Sequence, residues 1–366
     1  MGAFHGKPAD RQIGEGTFAT VCVVANKDDQ GQAYAVKRLK RQSSVEEVGL
    51  FNKEIDILSS MDHENIVAFK GTGKQEDADY LMQEYIAGGT VRQMILKQMS
   101  HPLRRVYTDS DCLRWSMDVA RALMYLHSGA AGSMILHRDI NPDNIMLTSP
   151  DPHQSDAKLV DFGLHTSIPQ LEDCSPDGLL PSLRGNGSIG KGEQLYSLTG
   201  TTGSLMYMAP EVLLGKQYNE KADIFAVGMI IFELFSNNLR LLQVCAQRNR
   251  QKTIVRYAHK VARGTRPTIP PDMPEELADI IQACWHQKSS ERPSASALLA
   301  SLEHLQASGV IQDIDNRRTQ PGTELSIKLT PGDSRTCWSW SLPELEVDLV
   351  EARWILRLVP PQDYLP

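Results

Sequence analysis

The stretch Ile135 to Leu147, ILHRDINPDNIML, places Asp139 five positions before Asn144, and Asp161, Phe162 and Gly163 begin fourteen residues after Leu147. That is the order of parts a phosphoryl-transfer site requires: a carboxylate for the proton of an attacking hydroxyl, then two oxygen ligands for divalent cations. In such chemistry Asp139 accepts the hydroxyl proton, and Asn144 and Asp161 hold Mg2+, or Mn2+ in its place, against nucleotide phosphates. A lone Asp means little. An Asp, an Asn and an Asp-Phe-Gly within the length of one short hairpin mean much more.

At these residues the chain resembles the eukaryotic protein kinase family, and further blocks follow in that family's order. IGEGTFATV, from Ile13 to Val21, reads as a glycine-rich hairpin in which Gly14 and Gly16 let backbone approach phosphates where a Cβ would clash. Ala35, Val36 and Lys37 come next, and the resemblance implies that Lys37 reaches the α and β phosphates of ATP, held there by a helix carboxylate. Glu54 is the best candidate for that carboxylate, because Phe51, Ile55 and Leu58 recur at the spacing of a buried helical stripe. Glu46 and Glu47 are rivals at the start of the predicted helix, outside that register. Gln83 to Gly89, QEYIAGG, looks like an extended hinge whose backbone would hydrogen-bond an adenine ring. The nucleotide pocket that the resemblance implies takes Ile13, Gly14, Gly16, Val21, Ala35, Lys37, Glu84, Ile86 and Met146, with polar Gln83 at the gatekeeper position. Ala209, Pro210 and Glu211, then ADIFAVG around Asp223, then CWHQKSSERPS with Arg292 complete the series. Glu211 and Arg292 are expected to form a buried structural ion pair.

The resemblance is most like the tyrosine-kinase-like group of Ser/Thr kinases. It rests on the Cys-Trp before the Arg292 block, on RGTRPTIPPDMP, and on TGTTGSLMYMAPEVLLGKQYNEKADIF. GSLMYMAPE would bring Ser204 close to Asp139, and no Pro occurs between Ile189 and Ala209 to support a tyrosine ring. Two positions depart from the pattern. Asn141 stands where a Lys normally offsets the γ-phosphate, which points to slower or altered catalysis, and Ala19 replaces the third glycine of the hairpin. The expected activity is ATP-dependent transfer to Ser/Thr hydroxyls of proteins in intracellular signalling. The alternative is a pseudokinase scaffold that binds nucleotide or partners. Catalytic candidates Asp139, Lys37, Glu54 and Asn141, together with Asn144 and Asp161, are all present, which favours the enzyme. Asp143, four residues after Asp139, hints at a preference for basic residues before the phosphoacceptor.

The elements that must position these residues imply an α+β, bilobal fold. Residues 1–83 form a small β-rich lobe with one main helix, 84–89 the hinge, and 90–305 a larger, mostly helical lobe containing a long activation segment, 161–211. DCLRWSMDVARALMYLHS carries Leu113, Met117, Ala120, Met124 and Leu126 or His127 near the helical period. From Ile168 to Leu195 the chain is rich in Pro, Gly and Ser without an apolar period. The segment is open to two readings: a tolerated, mobile insertion, or, as the resemblance implies from Arg138 beside Asp139, a regulatory loop with an upstream kinase acting on Ser197, Thr199, Thr201 or Thr202. Residues 306–366 form a tail outside the kinase pattern. In it Leu325, Ile327 and Leu329 alternate like one strand, and Ser341 with Glu344 begins an amphipathic helix over 342–359. Docking on the chain's own large lobe, binding a partner and a poorly ordered tail are all open for this segment.

Composition narrows the classes. The chain has 366 residues, 41% hydrophobic and 23% charged, as soluble globular proteins do. A net charge of -7 argues against a nucleic-acid partner. The run Lys37 to Arg41 is better explained as nucleotide site and strand end than as a nuclear signal. Six scattered cysteines without a Cys-x-x-Cys pair, and no leader before the glycine hairpin, indicate reduced thiols and a cytoplasmic location. The histidines show no zinc-ligand spacing. The apolar window Ile224 to Phe235 is short of the roughly 20 residues that span a bilayer, so a buried helix is expected there and no membrane span.

Overall fold

A computed structural model describes residues 11–16, 18–25, 33–75, 78–101, 104–129, 132–168, 195–196, 198, 204–239 and 250–319. Two lobes are seen, a β-sheet with one helix and a larger helical body, which is the α+β, bilobal architecture expected from the sequence. Five antiparallel strands, β1 (Arg11–Glu15), β2 (Ala19–Ala25), β3 (Ala33–Leu39), β4 (Phe69–Gln75) and β5 (Ala78–Glu84), lie in the order β1-β2-β3-β5-β4. Their alternation divides the sheet. Cys22, Val24, Tyr34 and Val36 are buried on one face. On the other, the register pairs Val21 with Lys37, Lys37 with Leu81 and Ala35 with Gln83. Side chains two apart share a face, so Val21, Ala35, Lys37 and Gln83 line the same side of the sheet.

Helix α1 (Val45–Ser59) starts at a capping box: Ser44 Oγ accepts from Glu47 N at 3.2 Å, and the Glu47 carboxylate accepts from Ser44 N at 2.7 Å. Glu47 is thereby committed to the helix end. Phe51, Glu54, Ile57 and Leu58 form the buried stripe, so the spacing carries a carboxylate into the interior.

Two short antiparallel ladders flank the Asp139 and Asp161 loops: β6 (Met134–Leu136) pairs with β9 (Thr166–Ile168), and the hairpin strands β7 (Ile145–Leu147) and β8 (Ala157–Leu159) pair with each other. The large lobe is built from α2 (Val91–Ser100), α3 (Asp109–His127), α4 (Pro210–Leu213), α5 (Lys221–Ser236), α6 (Arg250–Ala262), α7 (Glu275–Cys284), α8 (Ala295–Ala307) and α9 (Val310–Thr319). Helix α5 is buried throughout from Asp223 to Leu234, as its apolar run predicts. A Cβ on Gly228 would come within 2.6 Å of Cys284 Cβ, so a glycine is what lets α5 and α7 touch. Among the described residues no helix is long and apolar enough to cross a membrane.

Two expectations are corrected. Met124 is 38% exposed, because α3 buries Leu123 and Leu126 instead and leaves only a narrow strip of its surface to solvent. The helical body also continues past residue 305, through the end of α8 and into α9. The Asp315 carboxylate caps the start of α3, accepting from Asp109 N at 3.0 Å, Ser110 N at 2.8 Å and Ser110 Oγ at 2.6 Å. Arg105 Nη1 adds an ion pair at 2.9 Å. The expected strand at 325–329, the helix over 342–359, Ser197, Thr199, Thr201 and Thr202 lie outside the described residues.

Candidate active site

The upper wall of the cleft is built on charge. Lys37 Nζ lies 2.8 Å from Glu54 Oε1, 2.7 Å from Oε2, and 3.3 Å from Asp161 Oδ1. Glu54 has no solvent exposure. Burial alone would lower the Lys37 ammonium, but Asp161 and Glu54 outweigh it and hold its pKa above the ordinary value. Phe18, from the glycine hairpin, places its ring 5.8 Å below the ammonium. The hairpin closes on itself where Gly16 N donates to Ala19 O at 2.7 Å. A Cβ on Gly16 would sit 3.3 Å from that same oxygen.

Asp161 has a left-handed φ of 63°, and Arg138, in the loop beneath, has 66°. Non-glycine residues adopt this region at a cost of order 1–3 kcal/mol, so the surroundings must hold them. They do so visibly. Phe162 is fully buried with its ring 4.8 Å from that of His137, and His137 Nε2 lies 3.2 Å from Val160 O. Asp223, on α5, accepts from His137 N at 3.0 Å, Arg138 N at 2.9 Å and His127 Nε2 at 3.0 Å. Burial alone would raise the Asp223 carboxyl, but His127, His137 and the Arg138 N–H hold it below the usual carboxylate range.

Among the described residues, the donors to the lower wall are neutral. Asp139 Oδ1 accepts from Ser204 N and Ser204 Oγ, both at 2.9 Å, and Oδ2 accepts from Asn144 Nδ2 at 2.9 Å. Ser204 therefore sits against Asp139, as expected from sequence. Asn141 is a hub: Nδ2 donates to Asp139 O at 3.0 Å and Ser204 Oγ at 3.2 Å, while Oδ1 accepts from Asp143 N at 2.9 Å and Asn144 N at 3.3 Å. Val160 N donates to Asn144 O at 3.0 Å, which brings Asn144 alongside the strand that leads into Asp161.

The nucleotide candidates fall around this cleft. Gly14 pairs with Val21 across the hairpin, and Ile13 is 37% exposed at its edge. At the hinge the Glu84 carboxylate accepts from Lys158 Nζ at 2.6 Å and Ala68 N at 2.8 Å, so its side chain ties the small lobe to β8. Ile86 is buried, and Met146 bridges Thr90. Gly88 N donates to Leu147 O at 2.9 Å, and a Cβ there would come within 2.2 Å of Ser149 O. Gln83 Nε2 is buried with no acceptor among the described residues.

Farther from the cleft, Arg292 pairs with Glu211 through Nη1–Oε1 at 2.6 Å and Nη2–Oε2 at 2.8 Å, a bidentate pair with the arginine fully enclosed. Asp143, the residue that hints at basic peptide side chains, has a partner within the chain: Arg92 Nε lies 2.7 Å from its Oδ2. No local spacing signals this partner: the two residues are 51 apart and meet only when α2 packs on the loop.

Comparison with known proteins gives a consistent picture. The protein kinase domain family matches residues 8–302. Seven transmembrane domain-containing tyrosine-protein kinase 1 of Dictyostelium discoideum is 30% identical over 302 residues, 80% of this chain and 37% of that protein. Serine/threonine-protein kinase VIK of Arabidopsis thaliana is 28% identical over 296 residues, 80% of this chain and 58% of the relative. Mitogen-activated protein kinase kinase kinase 7 of Drosophila melanogaster is 26% identical over 294 residues, with shares of 80% and 36%. The chain thus spans well under two thirds of the length of these relatives.

Proposed function

This chain belongs to the protein kinase family and resembles its tyrosine-kinase-like group, and from that premise we propose that it transfers the γ-phosphoryl group of ATP to serine and threonine hydroxyls of protein substrates. One observation carries the reading. Lys37 bridges Glu54 and Asp161 in the same cleft in which Asn144 and Ser204 aim the Asp139 carboxylate.

In this mechanism Asp139 accepts the proton of the attacking hydroxyl. Positioned general bases contribute typically ~10²–10⁴-fold, and the bonds from Ser204 and Asn144 fix the orientation before a substrate arrives. Lys37 pairs with the α and β phosphates, with Glu54 holding the ammonium in place. Ile13, Gly14, Gly16, Val21, Ala35, Glu84, Ile86 and Met146 surround the nucleotide. Asn144 and Asp161 offer hard oxygen donors, and among the described residues no cluster of three carboxylate, imidazole or thiol ligands exists to cage an ion. Such a sparse oxygen set fits Mg2+, or Mn2+, which is completed by substrate phosphates and water. The cation would neutralise charge on the transferred group. Asn141 supplies an amide where a cation is usual, so turnover falls at the low end of the ~1–100 per second typical of kinases.

The reading extends to cytosolic signalling, supported by the buried free thiols Cys22, Cys112 and Cys284, and to control by an upstream kinase at Ser197, Thr199, Thr201 or Thr202. Hydroxyl type is supported by the contact of Ser204 with Asp139 and by relatives named serine/threonine-protein kinases. One relative is named a tyrosine-protein kinase and another a dual specificity protein kinase. A peptide array with matched Ser, Thr and Tyr acceptors and γ-labelled ATP decides among these. Label on Ser and Thr alone is expected. Equal label on Tyr would overturn the specificity, and nucleotide binding without any label would make the chain a pseudokinase.

A further inference from the structure

An acid beside a phosphoacceptor site ordinarily attracts a basic side chain of the peptide. Two acids are tied to the segments around Asp139 in this molecule. Asp143 follows it by four residues with its side chain 21% exposed, and Glu233, on α5, is almost wholly buried and accepts from Tyr207 Oη at 2.8 Å. Tyr207 in turn belongs to the segment that contacts Asp139, since its N–H donates to Ser204 O at 2.9 Å.

The space these acids would offer to a peptide is taken by the chain itself. Arg92, in the first turn of α2, donates from Nε to Asp143 Oδ2 at 2.7 Å, and Asp143, Tyr207 and Glu233 all lie within electrostatic reach of its guanidinium. Its backbone is fixed too: Arg92 N donates to Pro142 O at 3.0 Å, the residue before Asp143. Only 12% of the Arg92 side chain is exposed. Nη2 is buried without a hydrogen-bond acceptor among the described residues, so charge rather than a full set of hydrogen bonds keeps the group there. A guanidinium with one good bond, two nearby acids and little solvent is what a docked substrate arginine would look like.

We propose that Arg92 is an internal occupant of an acidic recognition subsite formed by Asp143 and Glu233, and that it makes this protein indifferent to basic residues flanking the phosphoacceptor. The inference rests on the kinase reading above and concerns substrate choice alone. Removing Arg92 exposes the subsite to a lysine or arginine of the substrate.

The test uses the full chain and one neutral Ser/Thr peptide through which a single Arg is walked position by position, with kcat/KM measured relative to the parent peptide. Wild type is expected to stay within about twofold at every position, whereas Arg92→Gln and Arg92→Ala gain about tenfold at one or two positions, mostly through KM, corresponding to one well-placed charge pair. Adding Asp143→Asn to Arg92→Gln removes the gain. Arg92→Lys, which keeps the charge, behaves as wild type. A wild type that already prefers basic peptides tenfold overturns the proposal whether or not the variants fold. So do well-folded Arg92 variants that remain neutral, the result a purely structural arginine would give. A wild type that labels no peptide at all refutes the kinase reading itself, and is distinguished by the absence of any rate to compare.

Discussion

The two walls of the cleft hold their key groups by different means. Above, Lys37 is locked by two carboxylates, one of them completely buried, so position is set by charge in a low-dielectric setting. Below, among the described residues, Asp139 accepts from an amide, a hydroxyl and a backbone N–H, with Asn141 where a cation would be expected. A charged support is strong and costly to break; a neutral one directs lone pairs. In a phosphoryl-transfer site the upper group must stay charged to meet phosphates, and the lower one must be free to take a proton.

Breaking the upper wall should have the largest effect on stability. Lys37→Met strips the cation from buried Glu54 and is expected to cost about 3–5 kcal/mol of stability in addition to phosphoryl transfer. Lys37→Met combined with Glu54→Gln should recover most of the melting temperature without recovering activity, and thermal unfolding of the three proteins checks this. Equal melting temperatures for wild type and Lys37→Met would mean the pair contributes nothing.

The lower wall should lose less. Asn141→Ala leaves the N–H of Asp143 without its acceptor and Asn144 N–H with only the residue-141 carbonyl, at about 1–3 kcal/mol by urea unfolding, and lets Asp139 wander, lowering kcat more than it raises KM. An Asn141→Ala protein as stable and as active as wild type would remove the hub from the account.

A third, smaller effect isolates what a buried carboxylate does without a dominant cation. Asp118, on α3, accepts from Ala157 N and Arg121 Nη1, each at 2.9 Å, yet burial raises its carboxyl to about 6. Because the folded state binds the extra proton, stability falls as pH rises from near 4, the unfolded pKa, through about 6, and the cost is complete above that. Asp118→Asn should therefore raise stability by about 1–2 kcal/mol at pH 7.5 and change little at pH 4, as followed by urea midpoints at both values. An unchanged difference between the two pH values would contradict the assignment.

Much of this arrangement was legible in the chain because it is local. The spacing of Phe51, Leu58 and the residues between them turns Glu54 inward, and the Asp-x4-Asn and Asp-Phe-Gly blocks sit on tight loops whose order survives folding. What escaped reading depends on distant contacts. Asp315 caps α3 from 205 residues away in sequence, and α9 offers only Val310, Ile311 and Ile314 as apolar signal. Arg92 and Asp143 look like ordinary surface charges until α2 is laid on the loop. Met124 fits the helical period, yet α3 turns that position outward, since its neighbours cover almost every other face.

The most direct measurement is a rapid-quench comparison of γ-labelled phosphoryl transfer to a Ser/Thr peptide by wild type and Asp139→Asn, with ATP affinity measured alongside. The account predicts that the variant binds ATP within about twofold of wild type while transfer slows by at least ~10²-fold, since only the proton acceptor is lost. Equal transfer by the two proteins would contradict it.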